Sequence, residues 1–209
     1  MLIKEGNVAY DDFDPSTLTR ARFAWNQSKR AAGLAVQAMR RFDLPANATL
    51  IREWFGLSPK TNPAHAQKLM QVQSNLTEME RAYASRPITL VWAPNIVVKH
   101  APADRNLPMT PVQLAGGTAF TGQNVYGYVH QHLAGSGMRV ILGRWFRDDP
   151  DPQEATQTIY HEITHKVLKT ADHCYGVDLC RRLATNNIAQ ATTNADNYGY
   201  FAKSMVGKV

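Results

Sequence analysis

The stretch Ile159-Tyr160-His161-Glu162-Ile163-Thr164-His165-Lys166-Val167 decides how this chain is read. On a helix, histidines four residues apart lie on one face, so both imidazoles can reach one ion. Glu162 sits about 100° further round, where its carboxylate reaches a water on that ion without ligating it. Ile159, Ile163 and Val167 share the opposite face and anchor the helix in a core. Asp151-Pro152 supplies an N-cap and a first-turn proline, with Glu154 placed as a capping-box partner. A catalytic zinc keeps three protein ligands and an open position for water, whose pKa falls to about 7. A nearby carboxylate then takes the proton as that water attacks a carbonyl.

Working outward, the first half reads as helical. Asp14-Pro15 starts a helix that runs through an Ala- and Arg-rich stretch to about Arg41, and Leu44-Pro45 breaks it. A short segment with Leu50, Ile51, Trp54 and Phe55 stops at Gly56. Pro63 opens a third helix, with Leu69, Val72, Leu76 and Met79 at core spacing. From Pro87 the pattern changes. Ile88–Trp92 is a short strand, 101–119 reads as loop, and Asn124–Leu133 and Met138–Phe146 read as strands joined by Gly135-Ser136-Gly137. The expected fold class is α+β: a helical N-terminal half, a small mainly antiparallel sheet, and the helix that carries His161 and His165. We divide the chain into 1–85, a helical part of the same domain, and 86–209, the catalytic part.

Composition narrows the partners. With 44% hydrophobic and 19% charged residues the chain is of ordinary globular make-up. The formal charge of +6 is scattered, and its densest cluster, Lys29-Arg30 with Arg40-Arg41, reads as a solvated helix face. A nucleic-acid partner is not expected. No run approaches the roughly 18 apolar residues of a membrane span. Met1–Phe13 has no apolar core of a secretory signal, so export without a visible signal peptide is expected, with a cytoplasmic location left open. Two cysteines, Cys174 and Cys180, make neither a disulfide framework nor a four-ligand zinc site; whether they bridge stays open.

The third ligand must come from further along. A third histidine six residues after the second, as in metzincins, would fall on Ala171, and no Glu follows Glu162. The remaining donors are Asp172, His173, Cys174, Asp178, Cys180 and Asp196. Asp172 heads a short turn within Thr170-Ala171-Asp172-His173-Cys174-Tyr175-Gly176. H-E-x-x-H followed by T-x-D-x-x-Y-G resembles the aspzincins, the deuterolysin and peptidyl-lysine metalloendopeptidase family of zincin-like metalloproteases. The similarity runs on through Cys180-Arg181-Arg182-Leu183-Ala184 and Asn194-Ala195-Asp196-Asn197-Tyr198, covering roughly 86–209; before that it extends to Trp54-Phe55-Gly56.

That resemblance implies one Zn2+ held by His161, His165 and Asp172, with Glu162 as general base and Tyr175 stabilising the oxyanion. It also implies a protein or peptide substrate, with Asp196 binding a lysine just after the scissile bond. The chain departs from the family at Lys169, where a Gly is usual, and at Gly199, where lysine-specific members can carry a second acid. A preference for lysine is therefore expected, not a requirement. Two further readings are an effector metallopeptidase aimed at one protein or cell-wall peptide, and a zinc-binding interaction domain without catalysis. Tyr128, His130 and His132 read as one strand face near the cleft, and His173 as a neighbour of the ligand shell.

Overall fold

The computed structural model describes residues 1–58, 62, 64–94, 97–98, 110–114, 117–121, 126–129 and 137–207. It opens on a hairpin that the helical reading of the first half did not anticipate. Strands β1 (Leu2–Glu5) and β2 (Val8–Asp11) pair antiparallel around Gly6, whose φ of 62° closes the turn. Val8 and Tyr10 point into the core while Ala9 and Asp11 face outward.

Three helices follow, close to where proline and capping signals put them: α1 (Pro15–Arg40), α2 (Pro45–Phe55) and α3 (His65–Ser85). Asp14 caps α1 by accepting from the amides of Ser16 and Thr17, which satisfies donors that the first helical turn leaves unpaired. Because these helices carry the chain from β2 across to β3 (Ile88–Trp92), the two strands pair parallel.

The remaining strands are β4 (Val97–Val98), β5 (Thr110–Leu114), β6 (Gly117–Thr121), β7 (Gly127–Tyr128) and β8 (Met138–Leu142). They form a five-stranded sheet in the order β1-β2-β3-β8-β7 and a three-stranded sheet in the order β4-β6-β5. The small sheet is antiparallel, but the larger one is mixed, since β2–β3 and β3–β8 run parallel. The expected antiparallel pairing holds for four of the six strand pairs among the described residues, but not for β2–β3 and β3–β8, because both parallel pairs depend on long connections that local patterning does not reveal. The 138–146 segment also divides, with β8 ending at Leu142 and Gly143 leading into α4 (Arg144–Asp148), which buries Phe146. Gly135 and Ser136 lie outside the described residues.

Helix α5 (Pro152–Leu168) runs through the middle, buried from Ala155 to Lys166. Around it pack α1, α3 and the last helix, α8 (Ala195–Val206), with α6 (Val177–Asn186) and α7 (Ile188–Ala191) preceding α8. One hydrophobic core joins both ends of the chain. Trp25 packs on Tyr83 at 5.1 Å and Tyr83 on Tyr160 at 5.8 Å; Phe55 meets Tyr198 and Phe201 at 5.0 and 5.2 Å. Removing an aromatic such as Phe55 from this centre would cost roughly 3–5 kcal/mol. At Gly56, φ 68° and close approach coincide, for a Cβ there would stand 2.0 Å from the Ala184 carbonyl oxygen. This turn holds α2 against α6, and Asn197 Nδ2 donates to the carbonyls of Trp54 and Cys180.

At the start of α5, Asp151 accepts from the Gln153 amide as a cap should. Glu154, expected to complete a capping box, turns instead to Lys203 of α8, whose buried ammonium also binds Asp151. A buried ammonium needs partners more than an exposed amide does, so the pair ties α8 to α5. Among the described residues no helix is long and apolar enough to cross a membrane.

Candidate metal centre

His161 and His165 project from the same face of α5, one turn apart. His161 Nδ1 lies 2.6 Å from Asp196 Oδ1, and His165 Nδ1 lies 2.9 Å from the Thr170 carbonyl oxygen. Both partners accept, so each Nδ1 carries the hydrogen and each Nε2 turns its remaining position to the centre. There the two Nε2 atoms stand 3.0 Å apart, and each is 3.2 Å from Asp172 Oδ1.

This triangle is the test of whether a metal fits. Three electron-rich atoms within hydrogen-bonding distance repel unless something positive lies among them. Four-coordinate zinc, with ligand bonds near 2.0–2.1 Å, separates its ligands by about 3.3 Å, close to the spacing seen. His161, His165 and Asp172 are also the one group of three His, Cys, Asp or Glu residues among the described residues with ligand atoms this mutually close. The residues fit zinc, and these three would hold it.

The charges agree. Burial alone would keep His161 neutral, but Asp172 and Asp196 outweigh it and hold its pKa well above the ordinary value. Burial would likewise raise Asp172, yet its contacts with His161 and His165 overcome it and keep the carboxyl far below the usual carboxylate range. In the metal-free site one proton on His161 supplies the positive charge that a metal ion would otherwise bring.

Glu162 stands beside the triangle and not in it, with Oε1 3.8 Å from His161 Nε2. Burial pushes its carboxyl up, against the lowering pull of His161 and His165. Strand β7 lies against it: a Cβ on Gly127 would come 3.2 Å from Glu162 Cγ and 3.1 Å from Thr158 Cγ2. Next to it, burial and then the charge of Glu162 push the Tyr128 hydroxyl up to about 12. Tyr175 reaches the site from the other side, its ring 6.2 Å from that of His161 at 23°.

The loop that brings Asp172 and Tyr175 is held from behind. α5 ends in a left-handed residue, Lys169, with φ 59° and ψ 37°. The chain then pairs with the entrance to α8: the Ala171 amide donates to Thr193 O, and the Ala195 amide to Ala171 O. Asn194, fully buried, accepts from the His173 and Cys174 amides on Oδ1 and donates to Cys174 O and Asn197 Oδ1. Asp196 accepts from Gln157 Nε2 and His161 Nδ1 on Oδ1, and from the Gly176 amide on Oδ2.

The structure thus brings His161, Glu162, His165, Asp172 and Tyr175 together. Asp196 meets them through His161. The ring of His173 turns aside to Thr193 at 3.0 Å, Asp178 is exposed, and His130 and His132 lie outside the described residues. Sequence reasoning missed Gln157, Gly127, the Thr170 carbonyl and the clamping role of Asn194. Gln157 alone left a signal, lying one turn before His161 on the face that also carries His165.

Known proteins resemble this chain in sequence and in fold. Residues 116–203 match the aspzincin family model, described as lysine-specific metallo-endopeptidases. Over these residues the chain is similar to the aspzincin family. A peptidyl-Lys metalloendopeptidase from Armillaria mellea is 31% identical over 86 residues, 40% of this chain and 24% of that protein. The match therefore spans about a quarter of the relative's length. In fold, the chain is similar to a zinc peptidase from Grifola frondosa, with a TM-score of 0.62 at 17% identity, covering 92% of this chain and 97% of the other.

Proposed function

We propose that this chain is a zinc-dependent endopeptidase of the aspzincin type. The observation that carries the proposal is the triangle of His161 Nε2, His165 Nε2 and Asp172 Oδ1, with edges of 3.0 to 3.2 Å and the Glu162 carboxylate at its side. A zinc ion held there would act as a Lewis acid on the peptide carbonyl and lower the pKa of the attacking water. Glu162 accepts that water's proton, and its raised pKa makes it a stronger base than an exposed glutamate while it remains ionised. The same carboxyl then delivers a proton to the departing amine. Tyr175, beside His161, donates its hydroxyl hydrogen to the oxygen that gains charge. Residues 1–85 support the catalytic part as one domain, through the Trp54-Phe55-Gly56 turn and Asn197.

The finer proposal is a preference for lysine after the scissile bond, supported by the family description and the name of the Armillaria relative. Two of Asp196's three bonds fall on Oδ1, so Oδ2 carries the Gly176 amide alone. An ionised carboxylate has about four acceptor positions, and the one left on Oδ2 would take the ammonium. Gly199 brings no second acid, and Gln157 stands against it, its Nε2 2.9 Å from where a Cβ would be.

Denatured casein, digested with and without a chelator, tests the activity. Chelator-sensitive cleavage supports it; cleavage of a single protein with casein untouched favours the effector reading. Zinc bound without hydrolysis of any peptide pool would mark an interaction domain. Peptides differing only after the scissile bond, Lys against Leu, then test Asp196. If Asp196→Asn slows both equally, Asp196 acts through His161 alone; if it slows the Lys peptide selectively, the carboxylate reads the substrate.

A further inference from the structure

The chain has two cysteines, and the structure brings them together behind the loop that carries Asp172 and Tyr175. Cys174 Sγ and Cys180 Sγ are 3.6 Å apart, about the contact distance of two sulfur atoms, and both are thiols. Cys174 lies in the loop and is half-buried; Cys180 lies in the first turns of α6 and is fully buried. Asn194 Nδ2 stands 3.6 Å from each sulfur, so the amide that clamps the loop also lines the thiol pair. No other cysteine can compete for either one.

We propose that Cys174 and Cys180 are a cross-linking site: their disulfide staples the loop bearing Asp172 and Tyr175 to helix α6. Closing the bond brings the sulfurs from 3.6 Å to about 2.05 Å, a movement that rotation of the two side chains can supply. The oxidant is a small disulfide such as oxidised glutathione or a disulfide oxidoreductase of an oxidising compartment. Cys174, the accessible sulfur, displaces one thiol from it and forms a mixed disulfide. Cys180 attacks that sulfur and displaces the second thiol. Two protons and two electrons leave the protein, and the oxidant is reduced to two thiols.

The effect falls on the metal site because Asp172 sits two residues from Cys174. The reduced loop is held by hydrogen bonds with Asn194 and Asp196; the oxidised loop gains a covalent tie that resists the opening through which Asp172 would leave its ion. Metal release should therefore slow severalfold. The staple concerns the ligand loop of the proposed zinc site, but its formation is read by mass, independent of any activity.

The test treats zinc-loaded protein with oxidised glutathione, alkylates, digests with trypsin, and weighs the Thr170–Arg181 peptide, which contains both cysteines. The expected result is a peptide two hydrogens lighter with no alkyl group, and Cys180→Ser should give a single glutathione adduct on Cys174. A peptide that keeps two alkyl groups, or two glutathiones, overturns the site. Zinc transfer to a chromogenic chelator is timed on the oxidised and reduced proteins. Equal release rates would overturn the stapling effect even if the bond forms. A failure of casein cleavage alone would strike the peptidase reading and leave the cross-link standing.

Discussion

The candidate metal centre is assembled from two unlike regions. Helix α5 delivers His161, Glu162 and His165 by its own periodicity and interior burial, and Asp196 and the Thr170 carbonyl orient the two imidazoles. The loop from Lys169 to Gly176 delivers Asp172 and Tyr175 with no periodicity at all. Its shape is set by Asn194, Asp196 and the short pairing with residues 193–195. A ligand on a helix is placed by the backbone; a ligand on a loop is placed by whatever binds that loop. Substituting Glu162 on the helix should therefore remove chemistry and leave the ligands in place, whereas substitutions behind the loop should loosen the metal.

The helix side should show the largest effect. Glu162→Ala removes the proton acceptor and none of the three ligands, so kcat should fall by about a thousandfold or more with zinc still bound. Metal content and peptide turnover on one sample check it, and near-normal turnover would mean that another group takes the proton. Tyr175→Phe probes the loop's own contribution to the reaction. A donor aimed at charge that develops only in the transition state is worth roughly a hundredfold in kcat with little change in KM; an unchanged kcat would leave Tyr175 a packing residue against His161.

Asn194→Ala sharpens the contrast from behind the loop. It deprives the part-buried His173 and Cys174 amides of their acceptor, costing about 2 kcal/mol of stability, and frees Asp172 to wander. Zinc affinity should drop about 10- to 100-fold, while the protein still folds and His161 and His165 stay in place. A competition titration with a chelator gives the number, and wild-type affinity would show that the backbone pairing of Ala171 alone positions the ligand.

How much of this could be read from sequence follows the same division. The starts of α1 and α5 were legible because Asp14-Pro15 and Asp151-Pro152 act within a few residues. The His161–His165 face was legible because helical periodicity is local. The β1–β2 hairpin was not: Val8 and Tyr10 form a two-residue alternation too short to stand out, and it becomes a strand by pairing with Ile88 and Leu90 some 80 residues on. Nor was the second duty of Asp196, since nothing in Asn194-Ala195-Asp196 says that its Oδ1 meets His161 Nδ1. The capping box at Glu154 failed for the same reason, because Lys203 arrives from the other end of the chain.

Proton competition gives a smaller, reversible handle. In the metal-free protein His161 has a pKa raised above its ordinary 6.5 by Asp172 and Asp196. Its protonated form therefore stabilises the fold, fully so below 6.5, and this contribution is lost as pH rises through the raised value. Zinc needs the neutral imidazole, so the rise in Tm on adding zinc should grow over the same range in which the chelated protein loses stability. Calorimetry with zinc and with chelator, from about pH 6 upward, reads both curves. A zinc effect independent of pH would mean that His161 is not a ligand.

The smallest expected effect lies at the junction of the two regions. Lys169 turns the chain out of α5 at φ 59°, a left-handed conformation that costs a side-chain-bearing residue roughly 1–2 kcal/mol. Glycine adopts it without that penalty but loses more chain entropy on folding, about 0.5–1 kcal/mol. The two nearly cancel, so Lys169→Gly should raise stability by no more than about 1 kcal/mol. Turnover and zinc affinity should hardly change, because the position of Thr170 and Asp172 is set by the contacts beyond the turn and not by the residue within it. A Lys169→Gly protein that binds zinc markedly more weakly would show the reverse: that the stiffness of this one residue, and not the clamp at Asn194, aims the loop at the metal.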